Sequence, residues 1–163
     1  MAAQTIFDRL KQDHDKHRRL IARIEATVGD SEERRTLFDE YKNDANAHAA
    51  TEELTLYHEL MGKSDMRVYA QHSAADHHEV GKLFEELAEA DMASPGWLNR
   101  FATLKKEYLD HLDEEEKTIF PRALEDLGQQ RAVELRDAFN AQKPEEIVRA
   151  ESGIDEALNE EIG

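Results

Sequence analysis

Residues 38–57, FDEYKNDANAHAATEELTLY, and residues 101–120, FATLKKEYLDHLDEEEKTIF, decide how this chain folds. Each carries an apolar side chain every three or four positions, the period of one face of an α-helix. The first stripe runs Phe38, Tyr41, Ala45, then His48 and Glu52, then Leu56; the second runs Phe101, Leu104, Tyr108, then His111 and Glu115, then Ile119. Both seams are interrupted by a His and a Glu at i, i+4, which share a helical face. A carboxylate left unpaired in an apolar seam is costly, so the pattern demands a partner for it, and a cation is the most economical one.

One His-x-x-x-Glu in a chain this rich in Glu is weak, because a solvated helical face would contain it too. The second copy changes that reading. His14, His48 and Glu52 recur as His77, His111 and Glu115, each displaced by 63 residues. The same displacement pairs Asp13 with Asp76, Leu20 with Leu83, Ile24 with Leu87, Phe38 with Phe101, Glu53 with Glu116 and Tyr57 with Phe120. The chain reads as two copies of a helical hairpin.

Working outward, Thr5 to Asp8 resembles a capping box, and the stripe Ile6, Leu10, Ile21, Ile24, Val28 predicts a first helix from Thr5 to Gly29, with His14 and His17 on its face. A second helix is expected after Asp30 or Ser31 up to Gly62, and a third from Ser64 to near Met92. A fourth should start at Ser94-Pro95, which offers an N-cap and a first-turn proline. Short connections force antiparallel neighbours, so the predicted fold is all-α, an up-down-up-down four-helix bundle. Beyond Pro121 the chain is expected to break direction, with Gly128 and Pro144 punctuating two short extra C-terminal helices before an acidic tail from Ala150 to Gly163. The expected organisation is a single domain over residues 1–163, with its core bundle at about 5–127 and the extension and tail at 128–163.

Composition agrees. Charged residues make up 36%, hydrophobic residues 39% and aromatic residues 7% of the 163, which favours long amphipathic helices over sheets. A formal charge of −16 opposes binding to nucleic acid or an anionic membrane, both of which need a basic patch. With no cysteine, thiolate zinc sites, iron–sulfur clusters and disulfides are excluded, so any metal must be held by His, Asp or Glu. The N-terminal residues MAAQTIFDR show no basic segment followed by an apolar run, and a cytoplasmic location is expected.

Depth along the helices offers a geometric check. At a rise of ~1.5 Å per residue, with the loop at Gly29-Asp30 as the floor and the loop at Gly62 as the ceiling, the six repeated residues fall within one slab roughly 12 Å thick. Four imidazoles and two carboxylates there suit a pair of first-row transition metals, with Glu52 and Glu115 bridging and the histidines terminal. Zinc competes by ligand type, but two carboxylate bridges and unfilled positions are closer to a redox-active di-iron pair.

These residues resemble the hemerythrin-like HHE cation-binding family, whose pattern of His, His-x-x-x-Glu, His and His-x-x-x-Glu on four successive helices is matched by His14, by His48 with Glu52, by His77, and by His111 with Glu115. The surrounding residues Asp13-His14, His77-His78-Glu79-Val80 and Glu114-Glu115-Glu116 agree, over roughly residues 5 to 127. The resemblance implies two iron ions in a di-iron centre with an oxo or hydroxo bridge. It also implies a small-molecule ligand, namely dioxygen, nitric oxide or peroxide, in a response to oxidative or nitrosative stress; an oxygen or iron sensor or store is the alternative. Oxygen carriers of the family have a fifth histidine one turn before the third-helix ligand, where this chain has Ser73, which implies an additional open position. His72 or Tyr69 would be the nearest substitutes, though His72 should point away. His17, whose repeat partner is Val80, reads as hydrogen-bonded rather than ligating. Tyr108 reads as core, and Asp13, Asp76, Glu53 and Glu116 as surface charges placed to orient imidazoles if they turn inward.

Overall fold

The computed structural model describes residues 2–153. Helix α1 spans Ile6–Glu25 and α2 spans Glu32–Glu52, which a π-helical turn at Glu53–Tyr57 joins to α3, His58–Met61. After a tight corner come α4, Arg67–Glu89, and α5, Trp97–Glu114; a second π-helical turn at Glu115–Ile119 joins α5 to α6, Phe120–Leu127, and α7 spans Gln129–Ser152. Four rods result, α1, α2–α3, α4 and α5–α6, packed as the predicted up-down-up-down bundle.

The Thr5 capping box forms as expected, with Thr5 Oγ1 accepting from Asp8 N and Asp8 Oδ2 accepting from Thr5 N. Helix α1 ends at Glu25 rather than Gly29, and Val28, placed in its stripe by sequence, is 87% exposed in the loop. The reason is Thr27, whose hydroxyl donates to Ile24 O while Arg34, buried from α2, donates to Thr27 Oγ1 and Thr27 O at 2.8 and 2.9 Å. The same guanidinium donates to Met92 O and lies over the Trp97 ring, so one cation closes this end of the bundle. Helix α5 begins at Trp97, not at the proline, because Ser94 closes a turn instead: its carbonyl accepts from Trp97 N and its Oγ from Gly96 N. The Trp97 indole N–H is satisfied by Leu87 O at 3.1 Å.

Two further expectations change. The helical course does not break at Pro121. Phe120 N–H bonds five residues back to Glu115 O, so the π turn is already in place where the proline lacks a donor, and the break comes at Gly128, with φ +83°. Pro144 does not divide the extension either. Helix α7 is one 24-residue helix with Pro144 inside it, packed along α1 and α2. Its buried face, Ala132, Leu135, Phe139, Lys143, Glu146 and Ala150, keeps helical spacing through the proline. Two of those six residues are charged, which hid the stripe from a hydropathy reading. Of the acidic tail, residues 154–163 lie outside the described residues.

Two apolar clusters fill the bundle. One, around Ile21, Phe38, Phe84, Trp97 and Phe101, lies towards the α1–α2 loop; the other, around Ile6, Leu10, Leu56, Phe120 and Phe139, lies towards the opposite end. Between them the stripes switch to His and Glu, as the depth count predicts.

Candidate metal centre

The structure brings all six repeated residues together. His14, Glu52 and Glu115 are fully buried, and His48 and His111 are 3% and 4% exposed. Glu52 stands between the halves, with Oε2 3.3 Å from His48 Nε2 and Oε1 3.3 Å from His77 Nε2. Glu115 does the same from the other side, with Oε1 2.6 Å from His111 Nε2 and 3.9 Å from His14 Nε2. Two groups able to hold a metal ion follow from these positions: Glu52, His77, His111 and Glu115, and His14, His48 and Glu52.

Both glutamates lie where an α-helix passes into a π-helical turn. The wider turn admits one extra residue, so that after Glu52 both Leu56 and Tyr57 face inward, and after Glu115 both Ile119 and Phe120 do. The hairpin repeat therefore extends to backbone geometry.

Every one of the four imidazoles is oriented by a carboxylate on its outer nitrogen. His14 Nδ1 pairs with Glu116 at 3.0 Å, His48 Nδ1 with Asp13 at 2.8 Å, His77 Nδ1 with Glu53 at 3.0 Å and His111 Nδ1 with Asp76 at 3.0 Å. A carboxylate accepts only, so Nδ1 carries a proton in each ring and Nε2 faces the site, where His77 Nε2 and His111 Nε2 lie 3.1 Å apart. The four carboxylates are repeat mates, Asp13 with Asp76 and Glu53 with Glu116. Reading them as plain surface charge is therefore corrected: each lies next to a repeated His or Glu in sequence, and that adjacency was the available signal.

The inner atoms are badly provided for by protein alone. Among the described residues His14 Nε2, His48 Nε2, both oxygens of Glu52 and Glu115 Oε1 are buried without a well-aligned hydrogen bond, their nearest neighbours being one another and the inner nitrogens of His77 and His111. Nitrogen and oxygen donors, two of them anionic, converging without protons to share are what a pair of divalent or trivalent cations satisfies. Without such cations the carboxylates draw protons inward. Burial would lower His48, but Asp13 and Glu52 hold it up at about 9, and the Glu115 carboxyl, which burial would raise, is kept well below its usual range by His111.

Position 73 has a different occupant from those expected. Ser73 is fully buried and donates to Tyr57 Oη at 3.0 Å, while Tyr57 donates to Glu115 Oε2 at 2.8 Å. A phenol from the second rod thus takes the space a histidine would enter. Tyr69 instead lies under Arg122, and the exposed His72 bonds outward to Glu114. The overlooked signal was the mismatch in the repeat, Tyr57 against Phe120.

His17 reads as predicted, hydrogen-bonded and without an inward lone pair. It accepts from Tyr108, and its Nε2 donates to Asp44 Oδ2 at 2.5 Å. Burial pushes its imidazole down to about 4 against the pull of Asp44. Sequence reading missed Lys143 of α7, 8% exposed, whose ammonium donates to Asp13 at 2.8 Å and lies 3.2 Å from Asp44. Arg9 adds a bond to Asp13 at 2.6 Å. His58 and His78 are exposed. Among the described residues no helix is long and apolar enough to cross a membrane.

Comparison with known proteins gives three likenesses. A model of the hemerythrin HHE cation binding domain matches residues 5–123. The solved structure of a hemerythrin HHE cation binding domain-containing protein from Mycobacterium kansasii has a TM-score of 0.80 at 23% identity, covering 94% of this chain and 93% of that one, which is a likeness of fold. A DNA nickase from a Nostoc species is 25% identical over 142 residues; the match takes in 85% of this chain and 39% of the nickase, so this chain spans about two fifths of that relative's length.

Proposed function

This chain belongs to the hemerythrin HHE cation-binding domain family, and from that premise we propose that it holds two iron ions which bind or react with a small molecule, dioxygen, nitric oxide or a peroxide. The observation that carries the reading is the set of buried, partnerless inner atoms on His14, His48, Glu52 and Glu115, opposite His77 and His111. In this reading His14 and His48 with Glu52, and His77 and His111 with Glu52 and Glu115, would hold the ions. Iron is favoured over zinc because a shared, carboxylate-rich pair of positions suits a metal that changes oxidation state.

When bound, the ions supply redox chemistry and Lewis acidity. The chain's own residues do the rest. Asp13, Asp76, Glu53 and Glu116 fix the imidazoles in the tautomer that ligates, and the two apolar clusters exclude bulk water. Tyr57 O–H is placed to hold a proton beside Glu115. We place this chemistry in the response to reactive oxygen or nitrogen species, whose members are small enough for so buried a site. The nickase likeness does not redirect the reading, because a net charge of −16 and a site enclosed by helices favour a small ligand over nucleic acid.

Metal analysis tests this directly. Chain expressed in iron-supplemented medium should carry two iron atoms, and the double variant His48→Ala, His111→Ala should carry few. Equal metal in both proteins, or none in the wild type, would overturn the reading.

A further inference from the structure

Tyr108, His17 and Asp44 take no part in the proposed ligand set, yet they form a hydrogen-bonded chain that begins at the site and ends at the surface. Tyr108 is 5% exposed and lines the same cavity as His48, His77, His111 and Glu115. Its O–H donates to His17 Nδ1. The far nitrogen of that fully buried ring lies 2.5 Å from Asp44 Oδ2. A carboxylate only accepts, so the ring proton sits on Nε2 and Nδ1 offers its lone pair to the phenol. Asp44 in turn accepts from Lys16 at 3.3 Å, and that side chain is 40% exposed.

A phenol becomes strongly acidic once it loses an electron, so its oxidation is easiest where a base is already in hydrogen-bond contact. Tyr41 is the contrast within the same fold. Its ring lies 5.5 Å from that of Tyr108, but its buried hydroxyl has no hydrogen-bond partner among the described residues, and so no base to receive the proton. Core packing alone would account for an acceptor on the ring N–H, here Asp44, but would not require the second nitrogen to meet a phenol that faces the site.

We propose that Tyr108 is a redox-active residue that gives one electron to the iron pair after a peroxide has oxidised it, its phenolic proton passing to His17. In that step the Tyr108 O–H bond breaks and an N–H bond forms at His17 Nδ1. Tyr108 becomes a neutral phenoxyl radical, the oxidised pair gains the electron, and Asp44 stabilises the imidazolium. An external one-electron donor of the ascorbate class restores the phenol as the proton returns. The inference rests on the di-iron reading above.

Iron-loaded full chain is mixed with hydrogen peroxide, frozen within milliseconds and examined by electron paramagnetic resonance, with iron content and circular dichroism recorded for each protein. A phenoxyl signal is expected in the wild type and in Tyr41→Phe, absent in Tyr108→Phe, and reduced at least about tenfold in a folded, iron-replete His17→Gln. Bound iron whose absorption responds to peroxide without a radical, or a radical that persists in Tyr108→Phe, overturns the relay alone. A wild type without iron overturns the di-iron reading on which it stands. In iron-free protein, flash-generated ruthenium(III) tris-bipyridine should oxidise Tyr108 faster in the wild type than in His17→Gln; equal rates would also sink the relay.

Discussion

The two hairpins repeat each other in sequence, yet the halves of the site they build are protected very differently. In the first half, Asp13 beneath His48 is 4% exposed and bound by Arg9 and by Lys143 from α7. In the second, the corresponding Asp76 beneath His111 has a side chain 31% exposed against 6% for that of Asp13, and among the described residues its ion-pair partners are His111 and the surface His72 at 3.5 Å. Glu116 behind His14 is gripped by Arg18, whereas Glu53 behind His77 is 42% exposed. The difference arises partly inside the repeat, where Arg9 and Arg18 of α1 have His72 and Gly81 as their mates, and partly outside it, because α7 lies along α1 and α2 rather than along α4 and α5. A duplicated sequence pattern therefore gives one clamped half and one more open half.

The comparison is broken most directly at Lys143. Lys143→Met leaves Asp13 and Asp44 buried without their shared ammonium, and removing one partner of a buried ionic cluster costs about 3–5 kcal/mol. Asp76→Asn, at the equivalent layer of the open half, should cost under about 1 kcal/mol because water screens it. Urea denaturation of the metal-free variants measures both, and equal losses would mean that the halves are not differently clamped.

Acid sharpens the same contrast. His17 sits in the clamped half at about 4, below its ordinary 6.5, so between those values the unfolded chain binds more protons than the folded one. Stability conferred by the neutral ring is complete above 6.5 and is lost as pH falls towards 4, by roughly 3 kcal/mol in total. Denaturation midpoints of metal-free His17→Gln should change less between pH 6.5 and 4 than those of the wild type. A variant that follows the wild-type curve would show that this imidazole is not held neutral.

How much of this was legible beforehand depends on whether a residue's partner was local. Helix-forming stripes and the 63-residue repeat are properties of neighbours in sequence, and they located the four rods, the polar layer and the convergence of His14, His48, Glu52, His77, His111 and Glu115. Helix ends were set by distant partners, as when Arg34 holds Thr27 and ends α1 four residues early. Lys143 escaped because a lysine and a glutamate on the buried face of α7 read as solvent-facing until Asp13 and Asp44 are known to lie opposite. Tyr57 escaped for a related reason: the π-helical turn shifts the inward face by one residue, and no periodicity announces it.

Tyr57 also gives the smallest and most discriminating prediction. In the repeat its counterpart is Phe120, so Tyr57→Phe makes the halves alike in chemistry at this layer while leaving shape nearly unchanged. The lost O–H leaves Glu115 Oε2 without its donor and Ser73 without its acceptor. A net cost of about 1 to 2 kcal/mol is expected in the metal-free chain, since the acceptor is a buried carboxylate. No loss in the variant would mean that water or another side chain already satisfies Glu115, and the asymmetry between the halves would then reside in α7 and in the arginines of α1.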